Sequence, residues 1–257
     1  MECEEGEVRP NQLFALVITA ASLLMMQSCA SVEYSAEPIE AWVVDAETRQ
    51  PIEGVIVVAH WELVGPMENY PVGQIEVLES VTDKNGRFHF PAWGPKLHLA
   101  PFSYLTDGDP ELLFFKSGYK YIRVSNSLNL RPKKYYYDGM PGGTKEKPTG
   151  LKRISFWNGE TIEMERFRGA DIQVHYKNLL NFSNEVNSFA TWHIDPCQWT
   201  NLPIAVNKMM QERKKLEAQG ARFIMDRTLD QRLLEGEPHF VKKCGLTSQT
   251  FIEGMKK

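Results

Sequence analysis

VIVVAHW, residues 55–61, is the stretch that decides the fold we expect for this chain. Valine, isoleucine and tryptophan favour β-strands, so the segment predicts a strand. Successive side chains of a strand point to opposite faces of the sheet, which separates the odd-numbered residues from the even-numbered ones. Both sets are largely apolar here. We therefore predict a strand in the centre of a sheet, buried on both faces.

Apolar segments on either side of this strand predict further strands. Residues 39–44 (IEAWVV) precede it, separated from it by residues that break and turn the backbone. Residues 75–82 and 87–90 follow it, and Asn85-Gly86 lies between them. Because Asn-Gly tolerates the positive φ angles of a tight turn, we expect these two segments to pair as a β-hairpin.

Three segments lie in an order and at a spacing that are typical of one domain family. They are residues 43–59 (VVDAETRQPIEGVIVVA), 81–94 (VTDKNGRFHFPAWG) and 116–124 (KSGYKYIRV). Together they resemble the carboxypeptidase regulatory-like, or transthyretin-like, domain. That family has a Pro and a Gly before a valine-rich strand, then Thr-Asp-x-x-Gly-x-Phe, then Gly-Tyr. The matching residues are Pro51, Gly54, Val55, Thr82, Asp83, Gly86, Phe88, Gly118 and Tyr119.

This resemblance implies a mainly β protein with an antiparallel Greek-key β-sandwich over residues 39–124. Residues 94–111 are longer than the connection usual in the family and contain three prolines, so we expect an inserted loop there. The family's domain accompanies peptidases without cutting peptides itself. The resemblance therefore implies a fold and not an activity.

The chain beyond residue 124 changes character. Glycines and prolines interrupt residues 125–152, which predicts a loop or linker. Residues 153–165 predict a second β-hairpin, because Asn158-Gly159 separates two segments of alternating side chains. Residues 166–257 predict a mostly helical extension.

The helical extension contains three expected helices. Residues 172–186 carry apolar side chains at helical spacing. A second helix is expected to begin after Thr200 or Asn201 as its cap, with Pro203 near its first turn, and to end at Gly220. A third and shorter helix is expected at residues 226–234.

An apolar run from Leu13 to Met26 suits the core of a secretory signal peptide and is shorter than the ~20 apolar residues of a spanning helix. The run ends three residues before Cys29, and the small residue Ser28 precedes that cysteine. This stretch resembles a bacterial lipobox. The resemblance implies that residues 1–29 are a signal peptide ending at a lipid-modified Cys29, which would anchor the protein in a membrane.

The residues after Cys29 indicate whether the protein is anchored in a membrane and in which one. Ser31 stands where similar lipoproteins that stay in the inner membrane have aspartate, so the resemblance implies an outer-membrane lipoprotein of the cell envelope. The alternative is ordinary cleavage after Ala30, which would give a soluble periplasmic protein. In either case the expected partner is an envelope protein or a polysaccharide.

Charge excludes one class of partner. The chain of 257 residues has a formal net charge of −4. Four glutamates lie within the first seven residues, which is the wrong charge for the start of a signal peptide, so we expect translation to begin downstream of them. Without the leader the chain is close to neutral, and no basic excess is present to attract nucleic acid.

Cys197 and Cys244 are the cysteines that remain beyond the leader. Cysteines of exported proteins usually oxidise, so we expect these two to form a disulfide. His193 and Asp195 stand close to Cys197 in WHIDPCQW (192–199), but the close Cys or His pairs of zinc sites do not occur in the sequence. We therefore expect no metal site and no cofactor.

A non-catalytic envelope lipoprotein, whose β-domain is a scaffold or protein-interaction module, is the function that these features favour. The alternative is a carbohydrate-binding or peptide-binding protein in which exposed aromatic rings stack on the ligand. The candidate rings for that role are Trp93, Tyr135, Tyr136 and Tyr137.

Enzyme activity is not expected, since the motifs of three related enzyme classes are absent. None of the six histidines is followed at three residues by Glu, as a zinc carboxypeptidase requires, and the chain does not end in the Tyr-Arg-Gly-Ser of transthyretin-like hydrolases. Intradiol dioxygenases, a third alternative, have a similar β-sandwich and bind iron through an Arg-Pro-x-His-x-His motif. Residues 131–136 read RPKKYY here, so both histidine ligands are replaced.

Overall fold

The computed structural model describes residues 32–65, 70–98, 103–105, 108–126, 152–169, 171–190, 197–222 and 244–245. This part of the chain is mainly β, as expected, with antiparallel sheets followed by two α-helices. The strands are β1 (Val32–Ala36), β2 (Ile39–Asp45), β3 (Ile56–Val64), β4 (Pro71–Val81), β5 (Arg87–Phe90), β6 (Trp93–His98), β7 (Tyr104–Leu105), β8 (Glu111–Phe115), β9 (Ile122–Val124), β10 (Lys152–Arg153) and β11 (Thr161–Met164). The helices are α1 (Ile172–Ala190) and α2 (Pro203–Ala218), with a 3-10 helix at Gln198–Asn201 between them.

The VIVVAHW stretch supplies most of β3, which is an inner strand of the sheet with the order β4-β3-β8-β9. We call this the central sheet. β3 pairs antiparallel with β4 on one side and with β8 on the other, and β7 pairs with the last two residues of β3. The prediction that this stretch is a central strand is confirmed.

Two smaller sheets have the orders β10-β1-β6 and β11-β2-β5. β10 and β11 add to β1 and β2 in parallel, whereas β6 and β5 pair with them antiparallel. β1 lies before residue 39, and its pairing with β6 explains why the expected inserted loop at 94–111 is wrong. That segment contains most of β6, for which β1 supplies a pairing edge outside the family resemblance, and all of β7, which pairs with the end of β3.

The first expected hairpin, between residues 75–82 and 87–90, does not form. β4 pairs with β3 in the central sheet, and β5 pairs with β2 in a small sheet, so the turn at Asp83–Gly86 passes from one sheet to another. The turn itself matches its sequence signal: the Asp83 carboxylate accepts from the N–H groups of Asn85 and Arg87, and Gly86 has a φ of +72°. Local turn chemistry specified the turn but not the partner of either strand.

The second expected hairpin, at residues 153–165, is also wrong. β10 and β11 belong to different sheets, and each pairs in parallel with an earlier strand. Asn158 and Gly159 form a turn that binds back to β2: the Asn158 side-chain oxygen accepts from Glu40 N–H at 2.8 Å, and Gly159 N–H donates to Glu40 O at 2.8 Å. The partner of this turn is therefore a distant strand and not the next one along the chain.

The odd-numbered side chains of VIVVAHW enter an inner core that the central sheet and the two small sheets share. Phe88 and Phe90 of β5 share a face there, and the centroid of the Phe88 ring lies 5.6 Å from that of Phe114 on β8. Burial of each such side chain contributes roughly 1.5–3 kcal/mol. Other members of the inner core are Tyr34, Ile39, Val43, Trp61, Leu112 and Ile162.

The even-numbered side chains Ile56 and Val58 point to the opposite face of β3, where α1, α2 and the 3-10 helix cover them. This outer core includes the ring of Phe115, which stacks on Phe182 of α1 at 4.7 Å between centroids. An apolar stripe at the start and along one side of α2 is also part of it. Its members are Leu202, Val206, Met209 and Leu216.

His60, the third even-numbered residue of the stretch, lies in the same interface and is 2% exposed. Its ring stacks on Phe189 of α1 with 3.8 Å between centroids, and within the described residues neither ring nitrogen has a hydrogen-bond partner. Burial, helped by the positive charge of Arg123, lowers the pKa of His60 from 6.5 to about 3. The imidazole is therefore neutral at physiological pH, and it packs as an aromatic ring.

The first turn of α2 is capped from the central sheet. The helix begins with Pro203, as predicted, but its N-cap position is Leu202, which has no capping side chain, so the expected cap at Thr200 or Asn201 is wrong. Glu79 of β4 takes the role: its carboxylate accepts from the N–H groups of Ile204 and Ala205 at 2.7 and 2.8 Å. A carboxylate is favourable at a helix N-terminus because of the unpaired N–H groups and the helix dipole.

The sequence pattern predicts α1 and the C-terminal end of α2 correctly. α1 spans the predicted residues, and α2 ends two residues before Gly220, whose φ is +95°. The expected third helix at 226–234 and most of the expected linker at 125–152 lie outside the described residues.

Candidate functional site

An open cavity of about 600 Å³ lies where the loop after β2, the loop before β9, the segment after β11 and the start of α1 meet. We call it the junction groove. Both charged and apolar side chains line it. The lining residues are Ala46, Glu47, Lys120, Glu165, Arg166, Phe167, Arg168 and Val174.

Asp45, the last residue of β2, fixes the geometry beside the groove and is only 2% exposed. One carboxylate oxygen accepts from the N–H groups of Glu47 and Thr48 at 3.0 and 2.9 Å. The other accepts from the Tyr119 hydroxyl at 3.1 Å and from Arg166 Nε at 2.5 Å. The N–H of Thr48 and the Arg166 guanidinium, in that order, hold the pKa of Asp45 well below its ordinary value, although burial opposes them.

Tyr119 and Arg166 complete this polar cluster and join two segments of the chain. Their backbones form an isolated β-bridge, and the Arg166 guanidinium lies 5.1 Å from the centre of the Tyr119 ring. Burial, followed by the hydrogen bond to Asp45, raises the pKa of Tyr119. The phenol therefore keeps its proton and the carboxylate stays ionised. A carboxylate with a lowered pKa that already accepts four hydrogen bonds is a poor general base near neutral pH.

The walls of the groove carry oppositely charged side chains that pair with each other. Lys120 Nζ lies 2.6 Å from a Glu165 carboxylate oxygen, and the Arg168 guanidinium pairs with Glu47. These four side chains are largely exposed, so each pair contributes little to stability, and water or a partner can replace either member at small cost. The groove is thus a surface of mixed charge with an apolar strip, to which Val174 belongs.

Cys197 and Cys244 are joined by a disulfide in the structure, with 5.4 Å between their Cα atoms. The bond closes a loop with a sequence separation of 47 residues, for which the chain-entropy estimate of stabilisation is about 4 kcal/mol. Cys197 precedes the 3-10 helix that carries buried Trp199, so the bond ties residue 244 to the outer core.

The aromatic residues expected to contact a ligand are not brought together on the described surface. Trp93 is only 8% exposed: its ring packs edge-on against Trp61 at 5.4 Å, and Lys96 Nζ lies 5.8 Å from its centroid. It therefore does not present a free ring face for stacking. Tyr135, Tyr136 and Tyr137 lie outside the described residues, as do the lipobox cysteine Cys29 and the 131–136 stretch compared with dioxygenases.

Sequence reasoning did not single out Asp45, Tyr119 and Arg166 as one cluster. Asp45 and Arg166 are separated by 121 positions, and they meet because β11 adds in parallel to β2, which sets Met164 opposite Asp45. A partial signal was present, since an aspartate at a strand end followed by Thr48 is typical of a side-chain-capped turn.

The described residues contain neither a cluster of metal ligands nor a membrane-spanning helix. In this part of the chain, no three His, Cys, Asp or Glu side chains are placed to hold a metal ion together. Neither described α-helix has the length and apolar character needed to cross a membrane.

No protein-family model matches the chain, and no curated protein matches it. Among solved structures, it is similar to the 3-chlorocatechol 1,2-dioxygenase of Rhodococcus opacus 1CP, with 11% identity and a TM-score of 0.27 over 54% of this chain and 62% of that one. It is also similar to a 9R-lipoxygenase from Cyanothece PCC8801, with 11% identity and a TM-score of 0.28 over 91% of this chain and 28% of that one. The chain thus spans less than two thirds of either protein. The TM-scores are too low for either similarity to indicate a shared fold or function.

Replacement of the buried carboxylate tests the role of the cluster. Asp45→Asn is expected to lower the midpoint of urea unfolding at pH 7, because the amide cannot pair with Arg166. The folded-state pKa of Asp45 is lowered, so its contribution is complete above 3.8, the ordinary pKa of the carboxyl group, and is lost as the pH falls below it. The midpoints of wild type and variant should therefore converge in acid.

The matched control is Glu163→Gln, which removes an exposed carboxylate paired with Arg49 on the neighbouring surface. Its midpoint should stay close to that of the wild type at every pH. An Asp45→Asn protein with a wild-type midpoint at pH 7 would show that the cluster has no structural role.

Proposed function

We propose that the protein is a non-catalytic lipoprotein of the cell envelope, whose transthyretin-like β-sandwich is a scaffold and protein-interaction module. The observation that carries the proposal is the chemical state of the junction groove. Its charged walls pair with each other, and the ionised Asp45 beside it already accepts four hydrogen bonds. Such a surface suits the docking of a partner that also presents both signs of charge.

The fold in this proposal is supported by how the sheets meet. Side chains of the central sheet and of the two small sheets share one inner core, as the two faces of a sandwich do. The turn at Asp83–Gly86 passes from the central sheet to a small sheet, so the chain contributes strands to both layers around this core. The three segments that resemble the carboxypeptidase regulatory-like family supply the end of β2, the start of β3 and all of β5 and β9.

The anchor in this proposal is supported by the lipobox resemblance at Cys29 and by its distance from the β-domain. β1 begins at Val32, only three residues after the cysteine. Three residues span at most about 10 Å, so a lipid on Cys29 would hold the start of β1 close to the membrane surface. The domain would then stand directly on the membrane, without a long tether.

The junction groove would face away from the membrane in this arrangement. It lies beyond Asp45, at the end of β2, whereas the anchor lies before Val32, at the start of β1. Strands rise ~3.3 Å per residue, so these two successive strands separate the groove from the anchor by up to roughly 40 Å. A partner in the periplasm or outside the cell could then reach the groove.

Lipid labelling tests the anchor. Wild-type protein expressed in an envelope-bearing bacterium is expected to incorporate radiolabelled palmitate and to fractionate with the outer membrane. Cys29→Ser should lose both properties, because the acylated thiol is gone. Ser28→Ala is the matched control: it keeps a small residue directly before the cysteine and should behave as the wild type. Labelling of the Cys29→Ser protein, or an unlabelled wild type in the cytosol, would contradict the proposal.

An exchange of two charges tests the interaction. The double variant Glu47→Arg with Arg168→Glu keeps the ion pair but reverses its direction across the groove, so its urea midpoint should stay near that of the wild type. Proteins cross-linked to the wild type in intact cells should be lost from it. The control is the same exchange at Arg49 and Glu163, an exposed pair outside the groove. Unchanged cross-linking of the groove variant would argue against this docking surface.

A further inference from the structure

The end of the β-domain opposite the junction groove exposes apolar side chains. Tyr70 is 68% exposed, Leu97 is 61% exposed and Tyr104 is 37% exposed. Tyr70 and Leu97 are the two most exposed large hydrophobic side chains of the described residues. Isolated apolar side chains on a surface need no explanation, so the question is whether these three share a location.

Tyr70 and Tyr104 flank the last residue of β3. Tyr104 lies opposite Val64 in the pairing of β7 with β3. On the other side of β3, Pro71 lies opposite Val64, and Tyr70 precedes Pro71 and accepts a 2.8 Å hydrogen bond from Gly65 N–H. Because neighbouring strands are ~4.8 Å apart, the backbones of the two tyrosines lie within roughly 10 Å of each other.

Leu97 lies at the same end of the domain, on the neighbouring small sheet. It is opposite Glu33 at the start of β1. The Tyr34 hydroxyl links this part of β1 to the tyrosines, because it bonds to Ser103, the residue before Tyr104. The start of β1 and the end of β3 therefore meet at one end of the domain.

This end is also where the chain leaves toward Cys29, three residues before Val32. If Cys29 carries lipid, as proposed above, the start of β1 cannot lie farther than about 10 Å from the anchoring residue. The exposed apolar side chains at that end would then lie at the membrane surface.

Leu97 projects from the outer side of the small sheet and Tyr104 from the helix-facing side of β3, because the neighbouring residues Tyr34 and Leu105 enter the inner core. We propose that the end of the domain between them, with Tyr70, Leu97 and Tyr104 at its rim, is a membrane-contact surface that lies in the interface of the lipid bilayer and fixes the orientation of the anchored domain. This inference rests on the proposed lipidation. Tyrosine suits the interface because one end of its ring is apolar and the other is wet. Three partly exposed side chains cannot hold a protein on a membrane alone, so their role is to orient the domain while the acyl chains hold it.

The charges at this end favour a zwitterionic lipid surface over an anionic one. Glu33 is exposed opposite Leu97, and Lys96, the cation next to Leu97 on β6, pairs with Glu76 at 2.5 Å. An electrostatic attraction to anionic headgroups would require unpaired Lys or Arg near the membrane. Contact is therefore expected to depend on apolar insertion and to change little with salt.

Single-cysteine labelling tests the surface, and the native chain is well suited to it. Cys197 and Cys244 are joined in a disulfide and Cys29 would be acylated, so an introduced cysteine supplies a free thiol for a fluorophore sensitive to polarity. The variants are Tyr70→Cys, Leu97→Cys and Tyr104→Cys. The controls are Val81→Cys and Ile204→Cys, which are exposed apolar positions away from this end: Val81 pairs with the first residue of β3, and Ile204 is in the first turn of α2.

Each full-length lipidated protein is reconstituted into phosphatidylcholine vesicles with brominated acyl chains, and vesicle flotation is measured on the same sample. The fluorescence of the labels at positions 70, 97 and 104 should be quenched by the brominated acyl chains, and their emission maxima should shift to shorter wavelength, at low and at high salt. The labels at 81 and 204 should do neither. Flotation with no quenching at 70 and 97, or with equal quenching at 204, would overturn the contact surface and leave the lipoprotein proposal intact. Protein that carries no lipid and does not float would overturn both.

Discussion

The burial of β3 on both faces is the constraint on which the rest of the structure depends. One face of this strand enters the inner core beneath the small sheets, and the other lies under α1 and α2. A strand of this kind has no face to present to water, so the helical region is part of the core and not an appendage. Even His60, which could carry charge, is kept neutral by this burial and packs on Phe189.

Polar contacts between distant segments then hold the covering elements in place. Glu79 supplies from the central sheet the cap that α2 lacks, and Asp45 binds the segment after β11 through Arg166. Each contact satisfies backbone or charged groups that would otherwise be left without partners at an element end. The domain has two different ends, one with a charged groove and one with exposed apolar side chains near the proposed anchor.

The elements could be predicted from the sequence far better than their partners. Side-chain alternation predicted β3 and its two buried faces, helical spacing predicted α1, and Gly220 marked the end of α2 to within two residues. Asn-Gly signals located turns correctly, but both expected hairpins were wrong because pairing is decided by distant strands. The same limit applies to the site: Asp45 and Arg166 meet only through the parallel pairing of β11 with β2, which no local pattern encodes.

The central claim is that the helix-facing side of β3 is as much a part of the core as its inner side. The direct measurement compares the urea unfolding of Val57→Asp, on the inner face, with that of Val58→Asp, on the helix-facing side. Both side chains are completely buried, and an unpaired buried carboxylate is strongly unfavourable, so both variants should lose the cooperative unfolding transition of the wild type. A Val58→Asp protein that unfolds cooperatively near the wild-type midpoint, while Val57→Asp does not, would contradict the account.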